Sequence, residues 1–378
     1  MVQQSKREYL AAILKRYLGA GRLYKQRILD EFCKICGYHR KHAIRLLNGR
    51  TGPRRRKPGR PPRYGEAERK ALEVIWLTAN RPCSKRLKAA VPIWLPHYER
   101  QEGALPVSVR QNLLTISARS LDRLLKPVRR RHGTRGRCGT RPGSLLKQQI
   151  PIRTEHADIH APGMMEADTV AHCGASLAGN FVWSLTLTDI FSGWTTLRAV
   201  WNKGYEGIRA AIEDMEASLP FCLTGFHSDN GGEFLNHHLI RYFDERHLPV
   251  SFSRGRPYHK DDTAHVEQKN YTHVRLLLGY SRMEDPALIP AINELYRAWE
   301  LFNNLFCPSL KLVKKEKIGS RYRKQYDAPQ TPYHRLMASP DLPEPLKTHI
   351  TELFCNHNPF TLRRYIDHLQ EKIIHQLR

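Results

Sequence analysis

MMEADTV at residues 164–170 and NFVWSLTLTDI at residues 180–190 are the two stretches that decide the fold of this chain. The second is rich in the β-branched and aromatic residues that favour strands. Residues 191–193 (FSG) predict a turn, and Trp194–Trp201 predicts a third strand. The three segments are therefore predicted to form an antiparallel meander.

Helix and strand patterns alternate after this meander. The predicted elements are a helix at 206–218, a strand at 221–227, a short helix within 231–242, a strand at 249–253 and a long helix at 261–279. The resulting order, β-β-β-α-β-α-β-α, predicts an α/β fold for this part of the chain.

The first 50 residues predict helices joined by a glycine-containing turn. Apolar residues between Tyr9 and Leu18 recur at helical spacing, a basic helix follows Gly37, and Asn48-Gly49 is a good helix stop. This arrangement resembles a helix-turn-helix, in which Arg40, Lys41 and Arg45 are candidate DNA contacts. A plain helical hairpin with solvated charges is the alternative.

Residues 51–64, TGPRRRKPGRPPRY, contain too many prolines and glycines to form a helix or a sheet. Residues 58–61 (PGRP) look like an AT-hook, whose arginine enters a narrow minor groove. Arg60 and Arg63 are the candidate contacts. A solvated basic linker is an equally acceptable interpretation.

A second helical unit is predicted over residues 65–131, and a basic linker over 132–160. Ser117 is a suitable N-cap for an amphipathic basic helix that begins after it. Arg119 and Arg123 on this helix are further candidate DNA contacts.

Charge is distributed unevenly along this chain of 378 residues and net charge +26. Residues 1–150 hold 36 basic and 9 acidic residues, and 281–378 hold 15 and 11, whereas 151–280 hold 11 and 16. A basic front half indicates a polyanionic partner. An acidic segment beside nucleic acid needs cations to neutralise it. The pattern therefore indicates a metal-dependent enzyme that acts on nucleic acid.

Membrane and secreted classes are disfavoured. No apolar run approaches the roughly 20 residues of a membrane span, and no apolar segment of a signal peptide follows the basic N-terminus. The eight cysteines are scattered, which favours free thiols. We expect a cytoplasmic protein without a membrane partner.

Three carboxylates occupy positions at which they can converge. Asp168 lies within the first strand, Asp229 ends the fourth strand, and Glu267 lies in the last helix of the α/β segment. Phosphodiester cleavage and transfer need two or three such groups to hold divalent cations.

The other acids have structural interpretations. Asp189 opens the turn before Gly193, Glu233 lies in the first turn of a helix, and Asp261 and Asp262 are N-cap candidates. Glu166 is on the same strand face as Asp168, nearer the edge of the strand.

The meander, HSDNGGEF at 227–234 and RPYHKDDTAHVEQKN at 256–270 resemble the catalytic core of DDE transposases and retroviral integrases. The sequence is most similar to bacterial insertion-sequence transposases whose motifs look like DTVAHCG and AHVEQKN. The resemblance implies a ribonuclease H-like core, a mixed five-stranded sheet flanked by helices, preceded by all-α helix-turn-helix-type DNA-binding domains. It also implies that Asp168, Asp229 and Glu267 are the metal ligands.

The implied domains are a helix-turn-helix-like domain at 1–50, an AT-hook-like linker at 51–64, a second helical DNA-binding domain at 65–131, a basic linker at 132–160, an integrase catalytic core at 161–280 and a mostly helical C-terminal region at 281–378.

The resemblance implies a transposase that binds the ends of a mobile element and catalyses metal-dependent DNA cleavage and strand transfer. Two Mg²⁺ ions are expected, with Mn²⁺ able to substitute, and the partners are element ends, a target duplex and further copies of the chain in the active complex. Lys269 is a candidate DNA contact, although Tyr271 and Val274 stand where retroviral integrases carry basic residues. A nuclease without strand transfer and a catalytically silent DNA-binding repressor are the alternatives.

Cys33, Cys36, His39 and His42 follow one another at intervals of three, which invites a zinc site. Zinc fingers need a longer gap between the cysteine pair and the histidine pair. We therefore favour small packed thiols beside DNA-facing histidines.

Overall fold

The computed structural model describes residues 3–49, 63–132, 159–228, 237–247, 250–254, 269–318 and 321–377. The chain divides into two compact units, Met1–Arg63 and Tyr64–Arg378. No helix in these described ranges is both long enough and apolar enough to cross a membrane.

The first unit contains three helices: α1 (Gln3–Gly19), α2 (Arg22–Cys36) and α3 (Arg40–Leu47). Gly37 ends α2 in the left-handed region, at φ 65°, and its amide donates to the Cys33 carbonyl. Phe32, Ala43 and Leu47 are completely buried between the helices. The predicted helices, the break at Gly37 and the stop after Leu47 are confirmed.

The second unit begins with five helices: α4 (Glu66–Thr78), α5 (Ser84–Glu102), α6 (Val107–Thr115), α7 (Ala118–Leu124) and α8 (Lys126–Arg131). The Ser117 hydroxyl accepts a hydrogen bond from the Ser120 amide at 3.1 Å, so it is the predicted N-cap of α7.

A mixed five-stranded sheet follows, in the spatial order β3-β2-β1-β4-β5. Its strands are β1 (Met164–Ala171), β2 (Val182–Asp189), β3 (Thr195–Trp201), β4 (Gly225–Ser228) and β5 (Ser251–Arg254). The first three form the predicted antiparallel meander, and β4 and β5 run parallel to β1. The predicted mixed five-stranded sheet flanked by helices is therefore confirmed.

The helices between these strands are α9 (Tyr205–Ala217) and α10 (His237–Asp244). The fourth strand begins at Gly225 and not at Phe221 as predicted. Gly225 pairs with Met164, the first residue of β1, so β1 offers no earlier partner. Phe221 and Leu223 are buried, which explains their strand-like alternation.

The predicted helix at 261–279 is described only from its later part. Asn270–Arg275 is a π-helix, and it continues into α11 (Leu276–Leu278). The C-terminal region then contains α12 (Leu288–Phe306), β6 (Leu312–Ile318), β7 (Arg321–Tyr326), α13 (Pro332–Met337), α14 (Glu344–Asn356) and α15 (Pro359–Gln376). The hairpin of β6 and β7 is absent from the sequence-based prediction of a mostly helical region.

Helix α12 covers the outer edge of β3. The side-chain oxygens of Asn293, Glu300 and Asn304 accept hydrogen bonds from the backbone amides of Ala199, Leu197 and Thr195, at 2.7, 2.5 and 3.0 Å. The two asparagines also donate to the carbonyls of Ala199 and Thr195. These amides belong to every second residue of β3 and point away from β2, at the open edge of the sheet. The helix supplies their hydrogen-bond acceptors as a neighbouring strand would.

Helix α5 packs on the other side of α12. Trp94 is completely buried, donates to the Phe306 carbonyl at 2.8 Å and lies edge-on to Phe302 and Phe360. The sequence-based division separates 65–131 from 281–378, whereas these residues share one hydrophobic core in the structure. The difference arises because contacts between distant segments leave no local pattern.

We predict that Trp94→Ala destabilises the helices of residues 65–131 and the sheet together. Removal of a buried tryptophan costs about 3–5 kcal/mol of unfolding free energy. Urea unfolding followed by tryptophan fluorescence reports on the second unit, which contains all six tryptophans. It should give one transition, shifted to lower urea. Val107→Ala, at a side chain that is 85% exposed, is the control and should shift the midpoint little. Two separate transitions in the Trp94 variant would contradict a shared core.

Candidate functional site

Asp168 lies in the middle of the sheet. It occupies β1 beside Thr186 of β2, one residue beyond Ala167, which pairs with Ser228 of β4. Its Oδ1 accepts from the Thr169 amide at 2.7 Å, and its Oδ2 accepts from the Asn270 side-chain amide at 2.6 Å. The half-buried carboxylate is therefore held in one orientation between the sheet and the π-helix.

Asp229 and Glu267 lie outside the described residues. Ser228, which is completely buried at the end of β4, directly precedes Asp229 in the sequence. Asn270, which contacts Asp168, stands three positions after Glu267. The described neighbours of both acids thus lie next to Asp168, while their own placement as metal ligands stays a prediction.

The chemistry around Asp168 fits a hard divalent cation. Asn270 has a buried side-chain oxygen that has no hydrogen-bond partner among the described residues. Carboxylate and amide oxygens are the ligands that Mg²⁺ prefers. No group of three or more His, Cys, Asp or Glu side chains that could hold a metal occurs in the described ranges, from which Asp229 and Glu267 are missing.

Lys269 points towards the turn between β2 and β3. Its ammonium group donates to the Gly193 carbonyl at 3.3 Å. Burial lowers the pKa of Lys269 to about 7, and the nearby Arg86 and Arg335 contribute. The hydrogen-bond partner of Lys269 in the structure is thus the Gly193 carbonyl. Its contact with DNA stays a prediction.

Three consecutive carbonyls of that turn accept hydrogen bonds from cationic side chains. Lys311 donates to Phe191 at 2.9 Å and Arg335 donates to Ser192 at 3.2 Å, beside the contact of Lys269 with Gly193. The turn therefore connects the π-helix next to Asp168 with the C-terminal region.

A buried polar network lies at the far end of β1. The His172 Nε2 atom is 2.7 Å from the Ser184 hydroxyl, which is 2.5 Å from the Tyr296 hydroxyl. Burial lowers the pKa of His172 to about 3, and the positive charge of Arg275 adds to the shift. His172 is therefore neutral, and its hydrogen-bond partner Ser184 joins it to Tyr296 of α12, which is distant in sequence.

Asp189 serves the turn that follows β2, as predicted. Its carboxylate accepts from the Gly163 amide at 3.0 Å and from the Ser192 amide and hydroxyl at 2.7 and 2.5 Å. Burial raises the pKa of Asp189. Among the other competing acids, Glu166 is completely buried in β1, and Glu233, Asp261 and Asp262 lie outside the described residues.

The candidate DNA contacts are mostly at the surface. Arg40 forms an ion pair with Asp30. The candidates that are solvent-exposed are Arg40, Lys41, Arg45, Arg63, Arg119 and Arg123. Arg60, together with the AT-hook-like sequence, falls outside the described residues. Their contacts with DNA stay predictions.

The cysteine–histidine cluster has structural contacts. Cys36 is buried in the core of the first unit. The His39 ring nitrogen accepts from the Lys41 amide at 3.3 Å and caps α3, and His42 packs edge-on against Tyr38. Cys36 and His42 therefore take part in packing, and His39 caps a helix.

Comparison with known proteins finds a relative that matches most of this chain. The chain is 41% identical over 341 residues to the uncharacterized protein y4rM of Sinorhizobium fredii, and the match covers 87% of this chain and 94% of the relative. No family model matches the chain. Among solved structures, the catalytic core domain of BIV integrase is similar over 46% of this chain and 93% of its own length, at 15% identity and a TM-score of 0.30. That similarity is too low to assign the fold.

We predict that His172 makes stability depend on pH. An unfolded histidine has a pKa of about 6.5, so the unfolded chain binds more protons than the folded chain between that value and about 3. The unfolding free energy therefore falls as pH falls through this window. His172→Gln should remove about 1 kcal/mol of the loss between pH 7 and pH 5.5, measured by urea unfolding. The exposed His349→Gln is the control, and an identical pH dependence in both variants would refute the prediction.

We predict that Asp189→Asn lowers stability but not the activity of folded molecules. An asparagine can accept on one side only, so one of the amides of Gly163 and Ser192 would lose its partner. The expected cost is about 1–3 kcal/mol of unfolding free energy. Thermal unfolding tests this against Asp244→Asn, at an exposed position on α10. An unchanged melting temperature in the Asp189 variant would show that the turn does not need the carboxylate.

Proposed function

This chain belongs to the same family as the uncharacterized protein y4rM of Sinorhizobium fredii, and we propose that it is a DDE-type transposase. It binds the ends of a mobile DNA element and catalyses metal-dependent cleavage and strand transfer. The observation that carries the proposal is the position of Asp168, fixed in the central strand between the end of β4 and the π-helix.

The order of the three acids along the chain supports this function. Asp229 directly follows β4, which runs parallel to β1 beside Asp168. Glu267 precedes Asn270 by three positions, and in the helix expected from the sequence these two positions share one face. Asn270 contacts Asp168, so a helix that continues towards residue 267 brings Glu267 to the same carboxylate.

Asp168, Asp229 and Glu267 are the residues that would hold two Mg²⁺ ions, or Mn²⁺ in their place. When bound, such ions activate the attacking oxygen and stabilise the leaving oxygen of a phosphodiester. The contribution of Asn270 is to hold the Asp168 carboxylate in place through its amide group. The pairing of β1 with β4 keeps Asp168 on a rigid element, which a site of this precision requires.

The basic front half of the chain supplies DNA binding in this proposal. Its first 150 residues carry 36 of the 62 basic residues. Contacts with phosphates by such residues bring counterion release and a steep dependence on salt. Arg40, Lys41 and Arg45 on α3 would bind one part of an element end, and Arg119 and Arg123 on α7 another. The arm with Arg60 and Arg63 would follow the minor groove, and the active complex would contain several copies of the chain.

We predict that Asp168→Asn, Asp229→Asn and Glu267→Gln each abolish cleavage and strand transfer. Each change keeps the shape of the side chain but removes the charge that holds a cation. The substrates are duplexes from the two flanks of the gene, incubated with Mg²⁺ or Mn²⁺. Duplex binding should persist in all three variants, because the basic front half is unchanged.

Glu213→Gln is the matched control, because this glutamate is exposed on α9; it should keep full activity. Full activity in any of the three acid variants would remove that acid from the site. If the unaltered chain cleaves DNA but does not join strands, it is a nuclease. If it binds DNA and catalyses neither reaction, it is a repressor.

A further inference from the structure

The hairpin of β6 and β7, residues 312–326, is here called the basic ribbon. Its two strands carry six basic residues and one acidic residue. The rest of the C-terminal region, residues 281–311 and 327–378, has nine basic and ten acidic residues. The positive charge of this region is therefore concentrated in the ribbon.

The base of the basic ribbon is fixed firmly to the body of the second unit. The Lys311 amide donates to the Asp327 carboxylate at 2.6 Å, and the Asp327 amide donates to the Lys311 carbonyl at 2.9 Å. The buried Arg335 donates to Asp327, to Ser309 and to the Ser192 carbonyl. A base held by so many charged hydrogen bonds gives the ribbon a defined direction.

Several of the ribbon's described side chains are open to solvent. Within the described part of the chain, β6 and β7 pair only with each other. Arg323, Lys324 and Gln325 are exposed, and Val313, at an irregularity in the pairing, is 63% exposed. Nothing in the described structure covers these side chains.

The register of the ribbon brings basic residues of both strands to neighbouring positions. Lys315 pairs with Lys324, whereas Glu316 pairs with Arg323 and is the only acidic residue of the two strands. A concentration of positive charge on both strands favours an anionic partner.

We propose that the basic ribbon is a second DNA-binding element, which contacts the sugar–phosphate backbone of a duplex separately from the basic front half. A two-stranded ribbon has the dimensions to enter the major groove. The base of the ribbon contacts the turn at 191–193, which follows Asp189 at the end of β2. Asp168 pairs with Thr186, three residues before Asp189. Three residues of a strand span about 10 Å. The ribbon therefore binds DNA close to the proposed site of reaction. This inference rests on the proposed function, because it takes DNA to be the substrate.

The test compares two double variants of the full-length chain. Arg323→Gln with Lys324→Gln removes two exposed charges of the ribbon, and Arg364→Gln with Lys372→Gln removes two exposed charges of α15. Duplex affinity is measured over a series of salt concentrations. Each lost phosphate contact lowers the slope of log K against log salt by about 0.9, so the ribbon variant should lose up to about 1.8 and the α15 variant close to none.

An equal slope in the ribbon variant and the unaltered chain would overturn this inference and leave the proposed function standing. A change in oligomeric state at an equal slope would show that the ribbon binds another copy of the chain, and would also overturn it. Absence of duplex binding by the unaltered chain would overturn both proposals.

Discussion

The outer edge of β3 is the constraint on which much of this structure depends. An edge strand with three outward amides must pair with something, and here the partner is a helix. Asn293, Glu300 and Asn304 give α12 the spacing of acceptors that β3 requires. Because α12 lies at this edge, α5 packs against α12 through Trp94. The helices that precede the sheet in the sequence and those that follow it therefore belong to one compact unit.

The same sheet explains how the Asp168 carboxylate is held in place. A partly buried carboxylate is costly unless it is hydrogen-bonded, and Asp168 has bonds from its own strand and from Asn270. The short segment formed by Lys269 and the π-helix that begins at Asn270 includes an irregular form that is frequent at functional sites. Its side chains reach both Asp168 and the turn at 191–193, so one short segment connects the candidate site with the C-terminal region.

The parts of this architecture that the sequence predicted are those with a local signal. The meander follows from the β-branched and aromatic residues of 180–190 and from the turn at 191–193. The N-cap Ser117 follows from its position before an amphipathic helix. The position of Asp168 within a strand was predicted from the pattern around it, whereas its role as a metal ligand stays a prediction. The role of Asp189 in a turn was also predicted from neighbouring residues alone.

The remaining features arise from contacts between distant segments or from signals hidden by charge. The pairing of Asn304 with Thr195 joins residues 109 positions apart, and neither residue shows it. The strand of the basic ribbon at 312–318 was missed because lysines occupy consecutive positions and conceal any alternation. The start of β4 depends on where β1 begins, which no window around residue 221 contains.

The turn at 191–193 has a consequence for how the chain tolerates changes of length. Exposed turns between strands usually accept inserted residues, and they are the preferred places for natural insertions and engineered tags. This turn is different, because successive carbonyls receive Lys311, Arg335 and Lys269 in a fixed order. One added residue would shift each carbonyl to the wrong cation. Variation in length within the family should therefore be excluded from this turn, and reporter peptides belong at other sites.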